Sequence, residues 1–82
     1  MRKGDLVVPY RHCIVTDLKD PDFYGRGRHR AWETDQTALI VSEAIRHVRG
    51  NDVLKLQILL DGELWWIGAG AARLVEPRNE TR

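Results

Sequence analysis

Eighty-two residues allow one domain with one modest core, because a chain this short buries only roughly 60–65% of its unfolded surface. An apolar fraction of 43% beside 30% charged residues excludes wholesale disorder. The net charge of +1 is too small to drive binding to nucleic acid or a membrane surface, so any electrostatic role must come from local clustering.

Cys13 is the single cysteine, so no disulfide forms within the chain, and a lone thiol suits a reducing compartment. The apolar run after Met1-Arg2-Lys3-Gly4-Asp5 is too short for a signal peptide. No segment approaches the ~20 apolar residues of a membrane helix. The expectation is a soluble protein working inside a cell or in a particle assembled there.

In chain order, Gly4-Asp5-Leu6-Val7-Val8 reads as a first strand, which Pro9 ends or places at a sheet edge. His12 to Leu18 is a weaker strand candidate. From Lys19 to Gln36 the composition shifts to Asp, Gly, Arg and His, and the stretch reads as a long loop or flap. Thr37 to Ile45 returns to strand character. Residues 38–49 also carry helix formers, but the run Leu39-Ile40-Val41 and the turn residues Gly50-Asn51-Asp52 favour a strand.

Val53 to Leu60, Asp61-Gly62 and Glu63 to Ile67 form the strongest hairpin signal, since Asp-Gly accepts the positive φ angles of a two-residue turn. Gly68-Ala69-Gly70 permits a tight connection, Arg73 to Glu76 reads as a last strand, and Pro77 onward as a polar tail. The two-residue turn sets Leu60 opposite Glu63, Leu59 opposite Leu64, Ile58 opposite Trp65, Gln57 opposite Trp66 and Leu56 opposite Ile67. Leu54, Leu56, Ile58, Trp65 and Ile67 make the more continuous apolar face and are assigned to the core. Leu59, Leu64 and Trp66 then point outward; a slip of one residue would exchange the two faces.

Gly4-Asp5-Leu6-Val7, Ala38-Leu39-Ile40-Val41, the Leu60-Asp61-Gly62-Glu63 turn with Trp66-Ile67, and Arg73-Leu74-Val75-Glu76 form a pattern that resembles the small SH3-like-barrel proteins of tailed phages. The resemblance covers residues 1–8 and 37–77 and leaves 9–36 unplaced. It implies an all-β fold: a small SH3-like barrel of about five strands over residues 1–77, with a long loop (19–36) after the first strand and a tail at 78–82. It further implies a binding or structural module and carries over no catalytic residue.

Two groups are candidates for partner binding. Outward Leu59, Leu64 and Trp66 would form an exposed apolar patch, unless the 9–36 segment folds over it. Tyr24, Arg26, Arg28, Arg30 and Trp32 interleave cations with rings, a combination suited to phosphates and stacked bases. Asp17, Asp20, Asp22, Glu33 and Asp35 flank that loop and would neutralise it, and Trp32 is equally placed to act as a cover. His12, Cys13, His29 and His47 lack the paired spacing of a structural zinc site, so no metal or cofactor is expected. The carboxylates from Asp17 to Asp22 sit in a polar loop where tuning by burial is not expected, and Gly68-Ala69-Gly70 lacks the Lys-Ser/Thr of a phosphate loop.

The reading is a non-enzymatic phage binding module, foremost a virion component: a capsid decoration, head–tail or tail accessory protein located in the virion or host cytoplasm. The alternatives are a host-directed adaptor and a nucleic-acid- or ribosome-binding barrel using the arginine-rich loop. The oligomeric state stays open, because an unpaired strand near Pro9 would support self-association while the proline would oppose it.

Overall fold

The structure is a computed structural model that describes residues 2–18 and 27–75. They form one curled antiparallel sheet, a half-barrel with no α-helix among the described residues. Its strands are β1 (Leu6–Pro9), β2 (Cys13–Thr16), β3 (His29–Trp32), β4 (Ala38–Val48), β5 (Asn51–Leu60), β6 (Glu63–Gly68) and β7 (Ala72–Leu74). Their order across the sheet is β3-β2-β6-β5-β4-β1-β7. A single 3₁₀ turn, Ala69–Ala71, joins β6 to β7.

The central hairpin follows from its turn. Asp61 and Gly62 both take positive φ, 53° and 79°, which matches the right-handed twist of the flanking strands. The pairs run from Leu60 with Glu63 to Lys55 with Gly68, in the register that a two-residue loop demands. Leu56, Ile58, Trp65 and Ile67 are buried, whereas Leu54 is half-buried and packs at the core's margin. Burying such a side chain contributes about 1.5–3 kcal/mol, so this hairpin anchors the domain.

β4 extends beyond the expected strand and turns at Arg49-Gly50, one residue before the predicted Gly50-Asn51-Asp52. Both turn residues have positive φ, 51° and 80°, while Asn51 and Asp52 belong to β5. The ladder between β4 and β5 shifts between Ile40 and Ser42, leaving Val41 as the extra residue of a bulge.

One expectation is resolved between its two alternatives and one is corrected. β1 ends at Pro9 but is not an edge strand, since it pairs with β4 on one side and β7 on the other. Within the predicted 19–36 loop, His29–Trp32 is a strand that pairs with β2 and forms one edge of the sheet. Its sequence, His-Arg-Ala-Trp, hides that role because only Trp32 is fully buried. With β3, the described residues hold seven strands rather than about five. Tyr24, Arg26, Asp20, Asp22 and the 78–82 tail lie outside the described residues.

Candidate contact surface

Alternation along each strand sends one residue set into the core and the other to the outer face of the sheet. Val7, Ala38, Ile40, Ile58 and Trp65 go inward and are buried. Their neighbours Leu6, Leu39, Leu59 and Leu64 therefore go outward, and the strand registers set them in one line. Leu6 opposes Leu39, Leu39 opposes Leu59, and Leu59 opposes Leu64. This row crosses β1, β4, β5 and β6, a span of about 15 Å at the usual strand spacing. Leu6, Leu59 and Leu64 are 51%, 37% and 48% exposed.

A second row runs beside it. Ser42 opposes Gln57, Gln57 opposes Trp66, and Trp66 opposes Thr16. Trp66 is half-buried between these neighbours. Neither row contains a charged side chain. Ile14, two residues from Thr16 on the same face of β2, is 51% exposed. At the β1 end, a shallow open cleft of about 460 Å³ is lined by Gly4, Asp5, Leu6, Leu74 and Val75, with Asp5 its one ionisable side chain.

The arginines lie on the other side of the sheet. Arg30 shares the inward direction of Trp32 on β3, and one of its terminal nitrogens is 3.0 Å from Asp61 Oδ2. Arg28 donates to Glu63 Oε2 at 2.6 Å, lies 3.6 Å from Asp17 Oδ2, and stands over the Trp65 ring. The hydrogen bond and charge of Glu63 push the Arg28 pKa further up, so the guanidinium stays charged. Asp17 Oδ1 also accepts the backbone N–H of Arg28 at 2.9 Å. Three carboxylates thus face these two cations.

Trp32 leaves the set of candidate contact residues. It is 0% exposed in the core, and its Nε1–H donates to the Gln36 carbonyl at 2.8 Å. A ring that closes the end of the core is not available to stack on a base or fit a partner. The predicted patch residues Leu59, Leu64 and Trp66 come together on the outer face, while Arg28 and Arg30 are separated from them by the sheet itself. Leu6 and Leu39 complete the row and were not singled out from the sequence. Their alternation with Val7 and Ala38 was visible, but the pairing of β1 with β4 across some thirty intervening residues was not.

The metal-ligand types are dispersed. His12 Nδ1 lies 2.9 Å from Glu33 Oε2, and His47 Nδ1 lies 2.5 Å from Asp52 Oδ1 at the far end of the β4–β5 hairpin. Among the described residues, no three His, Cys, Asp or Glu side chains converge. Burial, and then the charge of Glu33, push the Cys13 thiol up from its ordinary value.

No protein-family model, curated protein or solved structure matches this chain.

Proposed function

We propose that this protein is a small binding module that acts through protein–protein contact, with the outer face of its sheet as the contact surface. The observation that carries the reading is the uncharged row Leu6, Leu39, Leu59 and Leu64, flanked by Trp66, of which Leu6, Leu59 and Leu64 are exposed and Leu39 half-buried, on a domain with a modest core. A contiguous exposed apolar patch costs solubility and is retained where a partner covers it. Trp66 and the leucines supply buried area with few rotamers to freeze, the composition of an interface centre.

The fuller form of the proposal is an SH3-like barrel serving as a virion component. The curled antiparallel sheet and the 3₁₀ turn before the last strand support the SH3-like reading. The virion role rests on the resemblance to phage barrels alone. Quantitative mass spectrometry on purified particles and on the soluble fraction of the source cells tests it. A fixed, high copy number in particles supports a structural component. Abundance only in the soluble fraction replaces it with a host-directed adaptor.

The nucleic-acid alternative loses its described cations to Asp17, Asp61 and Glu63. Absence of DNA or RNA binding at low salt, where counterion release favours it most, would remove that alternative.

A further inference from the structure

The β4–β5 hairpin reaches past both of its neighbours. On one side β6 accompanies β5 only from Lys55 to Leu60. On the other side β1 and the residues before it accompany β4 only as far as Ile40, through Gly4 N–H to the Ile40 carbonyl at 2.8 Å and Ile40 N–H to the Asp5 carbonyl at 2.9 Å. Beyond the Val41 bulge, the β4 edge from Ser42 to Val48 has no strand beside it among the described residues.

Hydrogen-bond parity identifies the groups that this edge presents. The two-residue turn makes Val48 and Asn51 a hydrogen-bonded pair, so Ser42, Ala44, Arg46 and Val48 direct their backbone groups to β5. Glu43, Ile45 and His47 therefore direct their N–H and C=O groups to the open edge. An uncovered edge of this length is a template for another strand.

We infer that this edge pairs with the same edge of a second copy of the chain, antiparallel about a twofold axis at Ile45, to form one continuous sheet. Three observations select that occupant and register. First, the open stretch Ser42 to Val48 is itself centred on Ile45, so symmetric pairing there uses all of it and stops short of Gly4 and Asp5 beside Ile40. Second, no like charges meet: Glu43 faces His47 of the second copy, twice, across the axis, and Ala44 faces Arg46.

Third, Ile45 meets its own symmetry mate. Ile45 is 50% exposed and opposes Leu54, which packs on the core margin, so the junction would extend the apolar core from one copy to the next. Competing symmetric registers are poorer. Centring on Glu43 or Arg46 sets like charges together, centring on His47 opposes two imidazoles, and centring on Ala44 sets Glu43 against Ile45. The chosen pairing forms about six backbone hydrogen bonds in an isologous interface. It leaves the outer leucine row uncovered, so it stands apart from the contact surface proposed above.

The test combines sedimentation of the full chain with cysteine cross-linking in a Cys13→Ser background. Ile45→Cys sets two sulfurs across the axis with Cα atoms about 5.5 Å apart, within disulfide reach, whereas Ala44→Cys sets its own mates beyond about 7 Å. The expected result is a concentration-dependent dimer that Ile45→Cys locks on mild oxidation and Ala44→Cys does not. Ile45→Lys is expected to weaken the dimer at least about thirtyfold with an unchanged circular dichroism spectrum. A monomer at all concentrations up to about 1 mM, equal cross-linking of both cysteine variants, or an unweakened dimer in a folded Ile45→Lys protein overturns the inference. Should Ile45→Lys fail to fold, the cysteine pair still decides.

Discussion

The guanidinium carbon of Arg28 stands 5.1 Å from the centre of the Trp65 ring. That contact links the entry to β3, at one edge of the sheet, with a core residue of β6. The same guanidinium donates to Glu63 on the first residue of β6. Arg28 therefore works as a clasp between the β2–β3 hairpin and the β5–β6 hairpin, where β2 and β6 share only the single pair Thr16 and Trp66. A positive charge over the negative face of an indole is attracted by its quadrupole, and the pairing with Glu63 holds it there.

Arg28→Gln is expected to lower the thermal midpoint and to raise hydrogen exchange in β3 more than in β5. The difference from the parent should narrow as salt is raised, because the exposed ion-pair part is screened. Uniform loss of protection across all strands would show that Arg28 is no local clasp.

Trp32 and Trp66 are expected to part company under truncation. Trp32→Ala removes a fully buried ring and should cost about 3–5 kcal/mol, enough to unfold much of a domain this small. Trp66→Ala, on the outer face, should leave the circular dichroism spectrum and the cooperative melt in place while weakening partner capture. Global unfolding of the Trp66 variant would place that ring in the core.

Leu59→Lys and Leu64→Lys each put a cation into the uncharged outer row. Each should abolish partner binding and improve solubility, with stability changed by less than about 1 kcal/mol because both sites are exposed. Retention of binding by both variants would move the contact surface elsewhere.

Two glycines with positive φ should respond differently to alanine. Gly62, at φ 79°, has open space where a Cβ would lie, so Gly62→Ala costs only the left-handed backbone term of about 1–2 kcal/mol. At Gly27, φ 89°, a Cβ would stand 2.5 Å from Asp17 Oδ1 and 2.9 Å from the Leu18 side chain. Gly27→Ala should therefore cost more, by displacing the carboxylate that accepts the Arg28 N–H. Chemical denaturation of the two variants side by side checks the order.

Cys13 provides a pH prediction. Its thiol is held above the ordinary range by burial and by Glu33, so the folded state keeps its proton when the unfolded chain has lost it. Linkage then requires this contribution to stability to be intact below the unfolded thiol's pKa and to fall as pH rises from there through the folded value. Alkylation of the native protein should reach its half-maximal rate at higher pH than alkylation of the unfolded chain. Identical profiles would show that the side chain is solvated.

The strand character of β4 and the facing of the β5–β6 hairpin were legible because each depends on neighbours in sequence. A two-residue turn with Asp61-Gly62 leaves one register, and that register sorts Trp65 from Trp66. β3 was not legible: as an edge strand it buries one residue fully, and its arginines look like loop residues until Asp61 and Glu63 are brought beside them.

The sequence by itself determined the all-β class, the central hairpin with its register, and the outward direction of Leu59, Leu64 and Trp66, since turn chemistry and a period of two act over a few residues. Only the tertiary structure decided that Leu6 and Leu39 extend that patch into a row, that Trp32 is core, that Arg28 and Arg30 face acidic partners across the sheet from the leucines, and that β4 is left with an open edge. These are pairings between strands far apart in the chain. They are set by how the whole sheet curls to bury one core, a global condition that no local pattern encodes.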